Sequence, residues 1–240
     1  MKKKIICCLL VLTAIILAIH GFNILRTVRL SRPTPLKVKT LDALSLEGTT
    51  KLMIVAHPDD ETIWGGGHLL EGGYLVVCLT GGNNETRCKE FKEVVKASGN
   101  IPLILSYPDK INFKRSDWKL SKAGISSDIS RIIKYKKWDL IVTHNEAGEY
   151  GHNHHKMTHS LVVDAYESLK CDSPLYFFGD YYKPGEIVEA SKNLTSLKAD
   201  ILLKKEELCG MYSSQETVMK NLSHMFPYEN WKEYTDEKTL

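Results

Sequence analysis

Two short segments concentrate side chains that could carry out acid–base or metal chemistry. Segment 56–61 (Ala-His-Pro-Asp-Asp-Glu) holds one imidazole and three carboxylates directly after an apolar run, and segment 143–159 holds five of the chain's nine histidines. Adjacent carboxylates point in different directions, so we expect Asp59 and Asp60 to have different roles, one toward a cation and one toward substrate. A simple helix cap is the alternative for one of them, but it leaves His57 unexplained.

The histidines of the second segment have a spacing that suits a metal ion. His152 and His155 lie three residues apart and share one face if a helix begins there, whereas His154 does not lie on that face. Two histidines and one carboxylate, with a position left for water, form the usual ligand set of a catalytic zinc ion. A structural zinc site would favour cysteine ligands, and the cysteines lie elsewhere. A solvated polar loop is the alternative, and it does not account for His57.

Alternating apolar and amphipathic stretches predict the elements that position these segments. Strands are predicted at 51–55, 74–79, 103–105, 139–143 and 175–178, and helices near 62–71, 85–98, 127–136, 152–169 and 194–209. This alternation indicates an α/β fold with a Rossmann-like, mainly parallel sheet, helices on both faces and a hydrophobic helix before it. Both segments follow predicted strands, where such sheets bind ligands.

In this order, the two segments resemble the PIG-L/LmbE-like zinc-dependent N-deacetylases. The motifs that carry the resemblance are Ala56-His-Pro-Asp-Asp-Glu61 and Gly151-His152-x-x-His155. Further matches are Thr80-Gly81-Gly82, Arg87-x-x-Glu90, Thr143-His144, Glu149-Tyr150-Gly151 and Ser214-Gln215. The resemblance spans about residues 51–215.

The resemblance implies a role for each matching residue. His57, Asp60 and His155 would bind Zn2+, Asp59 would be the general base, and His152 would stand near the zinc and steady the reacting oxygen. Zinc lowers the pKa of a bound water to roughly 7, and a nearby carboxylate can carry the proton to the leaving amine. The substrate would be a glycolipid or glycoconjugate with an N-acetylglucosamine-type acetamide, giving a free amine and acetate.

Other readings of the same motifs remain open. The chain could be a zinc amidase that acts on a non-sugar amide, or a catalytically inactive carbohydrate-binding relative. The complete set of implied residues stands against the inactive relative. Three further residues are expected to bind substrate: Arg87, which could instead pair with Glu90; Tyr150, which could be a packed aromatic; and His154. Many relatives have Asp or Asn at the position of His154, so this residue bears on substrate preference.

The three glycines at 65–67 interrupt a predicted helix. Glycine is costly inside a helix. Close approach by substrate and tight packing against another element are equally good explanations.

The charge of the chain is unevenly distributed. Residues 1–39 hold eight Lys/Arg and no acid, so the remainder carries 24 Lys/Arg against 29 Asp/Glu. The acidic remainder offers no basic face, which excludes nucleic acid as an expected partner, and no protein partner is indicated.

The chain begins with a segment typical of membrane targeting. We expect a signal anchor or transmembrane segment at 1–25, a basic, proline-containing linker at 26–50 and a deacetylase domain at 51–240. The apolar run at 5–19 follows three lysines and favours an uncleaved, single-pass anchor, with secretion after signal cleavage as the alternative. The balance of basic residues on its two sides does not decide the orientation.

Overall fold

The computed structural model describes residues 2–235, apart from the side chains of Lys2, Lys3 and Cys8. The α-helices of this range are α1 (Lys2–Ser31), α2 (Val38–Asp42), α3 (Asp60–Leu69), α4 (Glu85–Ala97), α5 (Lys122–Tyr135), α6 (Asn153–Ser168), α7 (Ile187–Ala190), α8 (Ala199–Gly210) and α9 (Glu216–Leu222). The strands are β1 (Lys51–Val55), β2 (Tyr74–Thr80), β3 (Ile101–Tyr107), β4 (Lys110–Ile111), β5 (Lys114–Arg115), β6 (Leu140–Thr143), β7 (Leu175–Phe177) and β8 (Lys232–Glu233).

The central sheet has the order β3-β2-β1-β6-β7-β8. Its strands run parallel except for β8, which is antiparallel to β7. The predicted α/β fold with a mainly parallel sheet is therefore confirmed. The hairpin β4–β5 and the edge strand β8 lie outside the prediction, because two-residue strands carry too short a pattern to detect.

Successive residues of β1 point to opposite faces of the sheet and join different cores. Leu52 and Ile54 belong to the core that includes the buried faces of α5 and α6. Met53 and Val55 belong to the core that includes the buried faces of α3 and α4. Both faces of the sheet are covered, which explains why β1 reads as a continuous apolar run.

The glycines at 65–67 allow α3 to pack closely. A Cβ atom at the three positions in turn would lie 2.8 Å from Met53 Cε, 2.8 Å from Lys205 Cγ and 2.8 Å from Leu197 Cδ2. A real Cβ does not approach this closely, so a side chain at any of these positions would force Met53, Lys205 or Leu197 to move. Of the two explanations that the sequence allowed, these contacts favour packing.

The N-terminal helix is long and apolar enough to span a membrane, from Lys4 to Ser31. The most apolar 18 residues of this helix are unburied, and a signal sequence would meet the same criteria.

The segment that follows α1 packs on the domain: Leu36 and Leu41 are buried in the core, and the backbone N–H of Leu36 donates to Asp128 Oδ1 (3.1 Å). Part of the expected linker is thus ordered against the domain, while the boundaries at residues 25 and 50 stay a prediction.

Candidate metal and active site

The turn after β1 holds the first motif in a strained conformation. Asp59 has φ 108° and ψ −35°, a region that costs a residue with a side chain about 1–3 kcal/mol. Two neighbours hold it there. The backbone N–H of Asp59 donates to Glu61 Oε2 (3.1 Å), and Arg87 Nη2 donates to Asp59 Oδ2 (3.0 Å) and to the carbonyl oxygen of Pro58. The Asp59 carboxylate is fixed as a result.

Asp60 begins α3 and is the centre of the buried cluster. Its Oδ2 accepts the backbone N–H of His57 (2.8 Å) and lies 3.2 Å from Nδ1 of the same residue. Its Oδ1 lies 3.2 Å from His155 Nε2. The three residues that the sequence predicted as metal ligands therefore meet at this carboxylate, although they come from the loop after β1 and from α6.

The contact between Asp60 and His155 calls for a cation. Nδ1 of His155 lies 2.5 Å from Glu149 Oε2, so the ring proton belongs on Nδ1. Nε2 is then a lone pair that faces Asp60 Oδ1, and it is buried without a hydrogen-bond partner. Two electron-rich buried atoms repel each other unless a positive charge lies between them, so the donor set fits a metal ion.

A proton on His155 Nε2 can supply this positive charge in place of a metal ion. Although burial of the ring opposes it, the carboxylates of Asp60 and Glu149 raise the pKa of His155 to about 10.

Three groups of His and Asp side chains have donor atoms that lie within 4.8 Å of one another: His57, His152 and His155; Asp60, His144 and His155; His57, Asp109 and His154. His57 and His155 belong to the first group together with His152, and Asp60 and His155 belong to the second, so none of these groups holds all three predicted ligands. His144 and Asp109 had no ligand role in the prediction. His144 Nε2 accepts the backbone N–H of Ala56 (3.0 Å), so this lone pair already has a partner.

Glu149 supports the cluster from behind. Because His144 Nε2 is an acceptor, its Nδ1 carries the proton and donates to Glu149 Oε2 (3.0 Å). The same oxygen accepts from His155 Nδ1. Burial of Glu149 raises its pKa, but His144 and the hydrogen bonds from both rings outweigh this and lower that pKa to about 2. Glu149 is thus an anion that sets two histidine tautomers. The sequence placed Glu149 in the motif Glu149-Tyr150-Gly151 but did not indicate this role.

His154 lies behind His57 rather than at the surface. Its Nε2 donates to the carbonyl oxygen of Ser116 (2.7 Å), and its ring stacks on Trp118 with centroids 4.1 Å apart. Nδ1 of His154 is therefore an acceptor, 3.0 Å from His57 Nε2. With its proton on Nε2, His57 presents the Nδ1 lone pair toward Asp60. This fully buried position supports a role in holding His57.

His152 and Tyr150 line the open side of the cluster. His152 caps α6, its Nδ1 accepting the backbone N–H of His154 (3.2 Å), so its proton lies on Nε2. Burial, together with the nearby His57 and His155, lowers the pKa of His152 to about 3, and the ring is neutral. Tyr150 is 43% exposed, with its ring 5.5 Å from that of His155.

Tyr150 is part of an aromatic wall. Its ring centroid lies 6.3 Å from that of Trp64 and 5.9 Å from that of Tyr181. Neither Trp64 nor Tyr181 was singled out from the sequence: Trp64 follows the first motif by three residues but is not part of it, and Tyr181 lies far from both motifs. Their position beside Tyr150 shows that the wall is built from three separate segments.

The two acids that flank Asp60 share a dry environment. Burial and the adjacent Asp60 carboxylate raise the pKa of Asp59 well above its usual range, against the opposing charge of Arg87. Burial also raises the pKa of Glu61 to about 7, although its Oε1 accepts from the hydroxyls of Thr62 (2.6 Å) and Tyr212 (2.5 Å). The carboxylate of Asp59, which readily accepts a proton, therefore stands beside the predicted metal position.

Comparison with known proteins agrees with this site. Residues 52–166 match the family model described as PIG-L, GlcNAc-PI de-N-acetylase. The resemblance inferred from the motifs is confirmed over these residues, which hold both motifs. Uncharacterized protein L374 of Acanthamoeba polyphaga mimivirus is 29% identical over 187 residues, which cover 71% of this chain and 73% of that protein.

Two solved structures share the fold. The A40926 pseudoaglycone deacetylase Dbv21 aligns with a TM-score of 0.54 and 18% identity over 72% of this chain and 85% of its own. A deacetylase of the teicoplanin biosynthesis pathway aligns with a TM-score of 0.52 and 17% identity over 73% and 90%, respectively. At this level of identity they establish the fold alone.

Proposed function

We propose that this protein is a zinc-dependent hydrolase that removes the N-acetyl group from an N-acetylglucosamine-containing glycolipid or glycoconjugate. The observation that carries the proposal is the buried His155 Nε2 lone pair, which faces Asp60 Oδ1 at 3.2 Å without a hydrogen-bond partner. The match to a family model described as a de-N-acetylase supports the reaction class. Two proteins of the same fold are described as deacetylases as well.

In this proposal His57, Asp60 and His155 hold the metal. Histidine nitrogens and a carboxylate, without cysteine, suit a catalytic zinc with an open position. When bound, zinc would polarise the acetamide carbonyl and lower the pKa of water. The hydrogen bonds that Glu149 and His154 make to the ligand rings leave one lone pair of each ring for the metal.

Asp59 is the proposed general base. Its carboxylate is held by Arg87, and its raised pKa suits a group that takes a proton from water and returns it to the leaving nitrogen. Water adds to the carbonyl carbon, the C–N bond breaks, and acetate and a free amine result. His152 is neutral with its proton on Nε2, so it can donate a hydrogen bond to the oxygen that becomes negative.

Substrate contact is assigned to Tyr150 and Arg87. Tyr150 is exposed beside His152 and can cover one face of a sugar ring.

The α1 helix would tether the protein to a membrane as a single-pass anchor.

Acetate release tests the function. Purified full-length protein is incubated with methyl N-acetylglucosaminide and, in parallel, with an N-acetylated amino acid. The proposal expects acetate from the sugar alone. Acetate from the amino acid alone would replace it with the amidase alternative.

A further inference from the structure

We propose that the tip of the hairpin β4–β5 inserts into the surface of a lipid bilayer, beside the end of α1. The tip consists of Asn112 and Phe113, which join Ile111 to its strand partner Lys114. The proposal rests on the membrane anchor proposed for α1 and does not depend on the reaction at the catalytic cluster. It gives a partner to two residues that take no part in that cluster.

Phe113 occupies a position that is unfavourable in water. Its side chain is fully exposed, at 101%. Asn112 and Phe113 have φ 50° and φ 63°, as in the two-residue turns of type I′, which favour glycine at the second position. A bulky residue with such a φ is an outlier. Because strained residues collect at functional sites, an exposed and strained aromatic residue indicates a contact outside the chain.

The contact between the tip and α1 shows where this surface lies. Arg26 of α1 donates to Asn112 Oδ1 (2.9 Å). The residues of α1 from Phe22 to Leu25 are exposed, whereas Thr27 and Val28 are half-buried. The helix therefore leaves the domain at Arg26, and it does so at the level of the hairpin tip.

The length of the apolar part of α1 places that level at the edge of a bilayer. Residues 5–25 contain no Lys, Arg, Asp or Glu, and at 1.5 Å per residue they would span about 30 Å, the thickness of the hydrocarbon core. Arg26 would then lie among the head groups, and Phe113 would lie beside it. Phenylalanine side chains of membrane-surface elements are buried at the boundary between head groups and acyl chains.

The charges around Phe113 favour a bilayer over a protein partner. Lys110 and Lys114 stand on the two strands of the hairpin, and both are exposed. Lysine is depleted in interfaces between proteins, whereas anionic lipids attract lysine and arginine near the membrane surface. One aromatic side chain among basic residues therefore suits a bilayer that contains anionic lipid.

The hairpin also connects the tip to the catalytic cluster. Arg115 lies two residues after Phe113, about 7 Å along a strand, and its Nη1 is 3.4 Å from His57 Nε2. Insertion of the tip would therefore hold the predicted metal ligand His57 close to the membrane surface, where a membrane-borne substrate can reach it.

Fluorescence quenching by brominated lipids tests the insertion. Full-length Phe113→Trp protein is reconstituted into vesicles of phosphatidylcholine and phosphatidylserine whose acyl chains carry bromine, either near the head groups or near the chain ends. The matched control is Leu203→Trp, at an apolar and exposed position of α8, a helix that packs on α3. Wild-type protein is measured in parallel, because the chain has four tryptophans of its own.

We expect the indole introduced by Phe113→Trp to lose fluorescence, and to lose more of it to bromine near the head groups than to bromine near the chain ends. This order follows from a depth of about 5–10 Å at the boundary between head groups and acyl chains. The fluorescence of Leu203→Trp and of the wild type should not change. Both substitutions are at exposed positions, so neither alters the core.

Three results would overturn the proposal, each in a different way. If Phe113→Trp protein floats with the vesicles but keeps its fluorescence, the tip does not enter the bilayer and is left to a protein partner. An equal loss in Leu203→Trp would mean that the whole domain lies on the lipid without a specific tip. Wild-type protein that does not float with the vesicles would refute the anchor and the insertion together. Acetate release from methyl N-acetylglucosaminide, measured on the same preparations, judges the proposed function separately.

Discussion

Glu149 Oε2 lies 2.5 Å from Nδ1 of His155 and 3.0 Å from Nδ1 of His144. A single buried carboxylate oxygen thus fixes the orientation and the proton position of two histidine rings. It also leaves His155 Nε2 directed at Asp60 as a lone pair. We therefore expect Glu149 to support metal binding by holding the ring of the predicted ligand His155.

Glu149→Gln should weaken zinc binding by about 10- to 100-fold, the usual effect of losing a carboxylate behind a histidine ligand. Glutamine keeps the volume but places either a weaker acceptor or an N–H against the ring protons. Zinc affinity measured by competition with a chromogenic chelator checks this. Glu146→Gln, an exposed substitution on the same loop, is the control and should bind zinc normally. Equal affinities in the two variants would refute the role of Glu149.

Asp59→Asn should retain zinc and lose activity by about 10²- to 10⁴-fold, because an amide cannot accept the water proton. Asp60→Asn should instead lower zinc affinity, because Asp60 contacts both His57 and His155. Zinc content and acetate release are measured on both purified variants. If the two bind zinc equally well, the proposed division between base and ligand is wrong.

The sequence predicted much of this site because its residues lie at the ends of buried strands. His57, Asp60 and His155 come from two motifs that follow β1 and β6, and those strands are neighbours in the sheet. Apolar runs and motif spacing are local signals, so they are visible in the chain itself.

The contacts that support the site from distant parts of the chain could not be predicted from the sequence in the same way. Asp109 and Arg115 belong to a polar hairpin with no apolar pattern, yet both contact His57. The positive φ of Asp59 likewise depends in part on Arg87 of α4, which only the fold brings to it.

Lys205→Met should lower the free energy of unfolding by about 3–5 kcal/mol, because it removes the lysine charge from the buried Glu229, which then keeps only its contacts with Gly67 and His68 of α3. Lys205 is fully buried, its Nζ lies 2.6 Å from Glu229 Oε1, and its side chain packs against Gly66 of α3. Urea unfolding measures the change. Lys192→Met, at an exposed ion pair with Glu189, is the control and should have no measurable effect.

Adding Glu229→Gln to the Lys205→Met variant should recover part of the loss, because the unpaired charge is removed. A single Lys205→Met variant as stable as the Lys192→Met control would show that the buried pair does not hold α3 to α8.

The ordered segment before β1 makes a further prediction about truncation. A chain that begins at Ser31 should fold without lipid and bind zinc, because it keeps Leu36 and Leu41 in the core. A chain that begins at Lys51 loses both leucines, each worth about 1.5–3 kcal/mol on burial, and should unfold at a lower temperature. Calorimetry on the two truncated proteins measures this. Identical melting temperatures would mean that residues 31–50 are a linker after all.

The most direct test of the central claim is acetate release from methyl N-acetylglucosaminide by the full-length protein before chelation, after exhaustive chelation and after zinc is restored. The proposed ligands His57, Asp60 and His155 predict that acetate release stops when the metal is removed and returns with about one zinc ion per chain. Full activity in the metal-free protein, or no acetate from the zinc-loaded protein, would contradict the account.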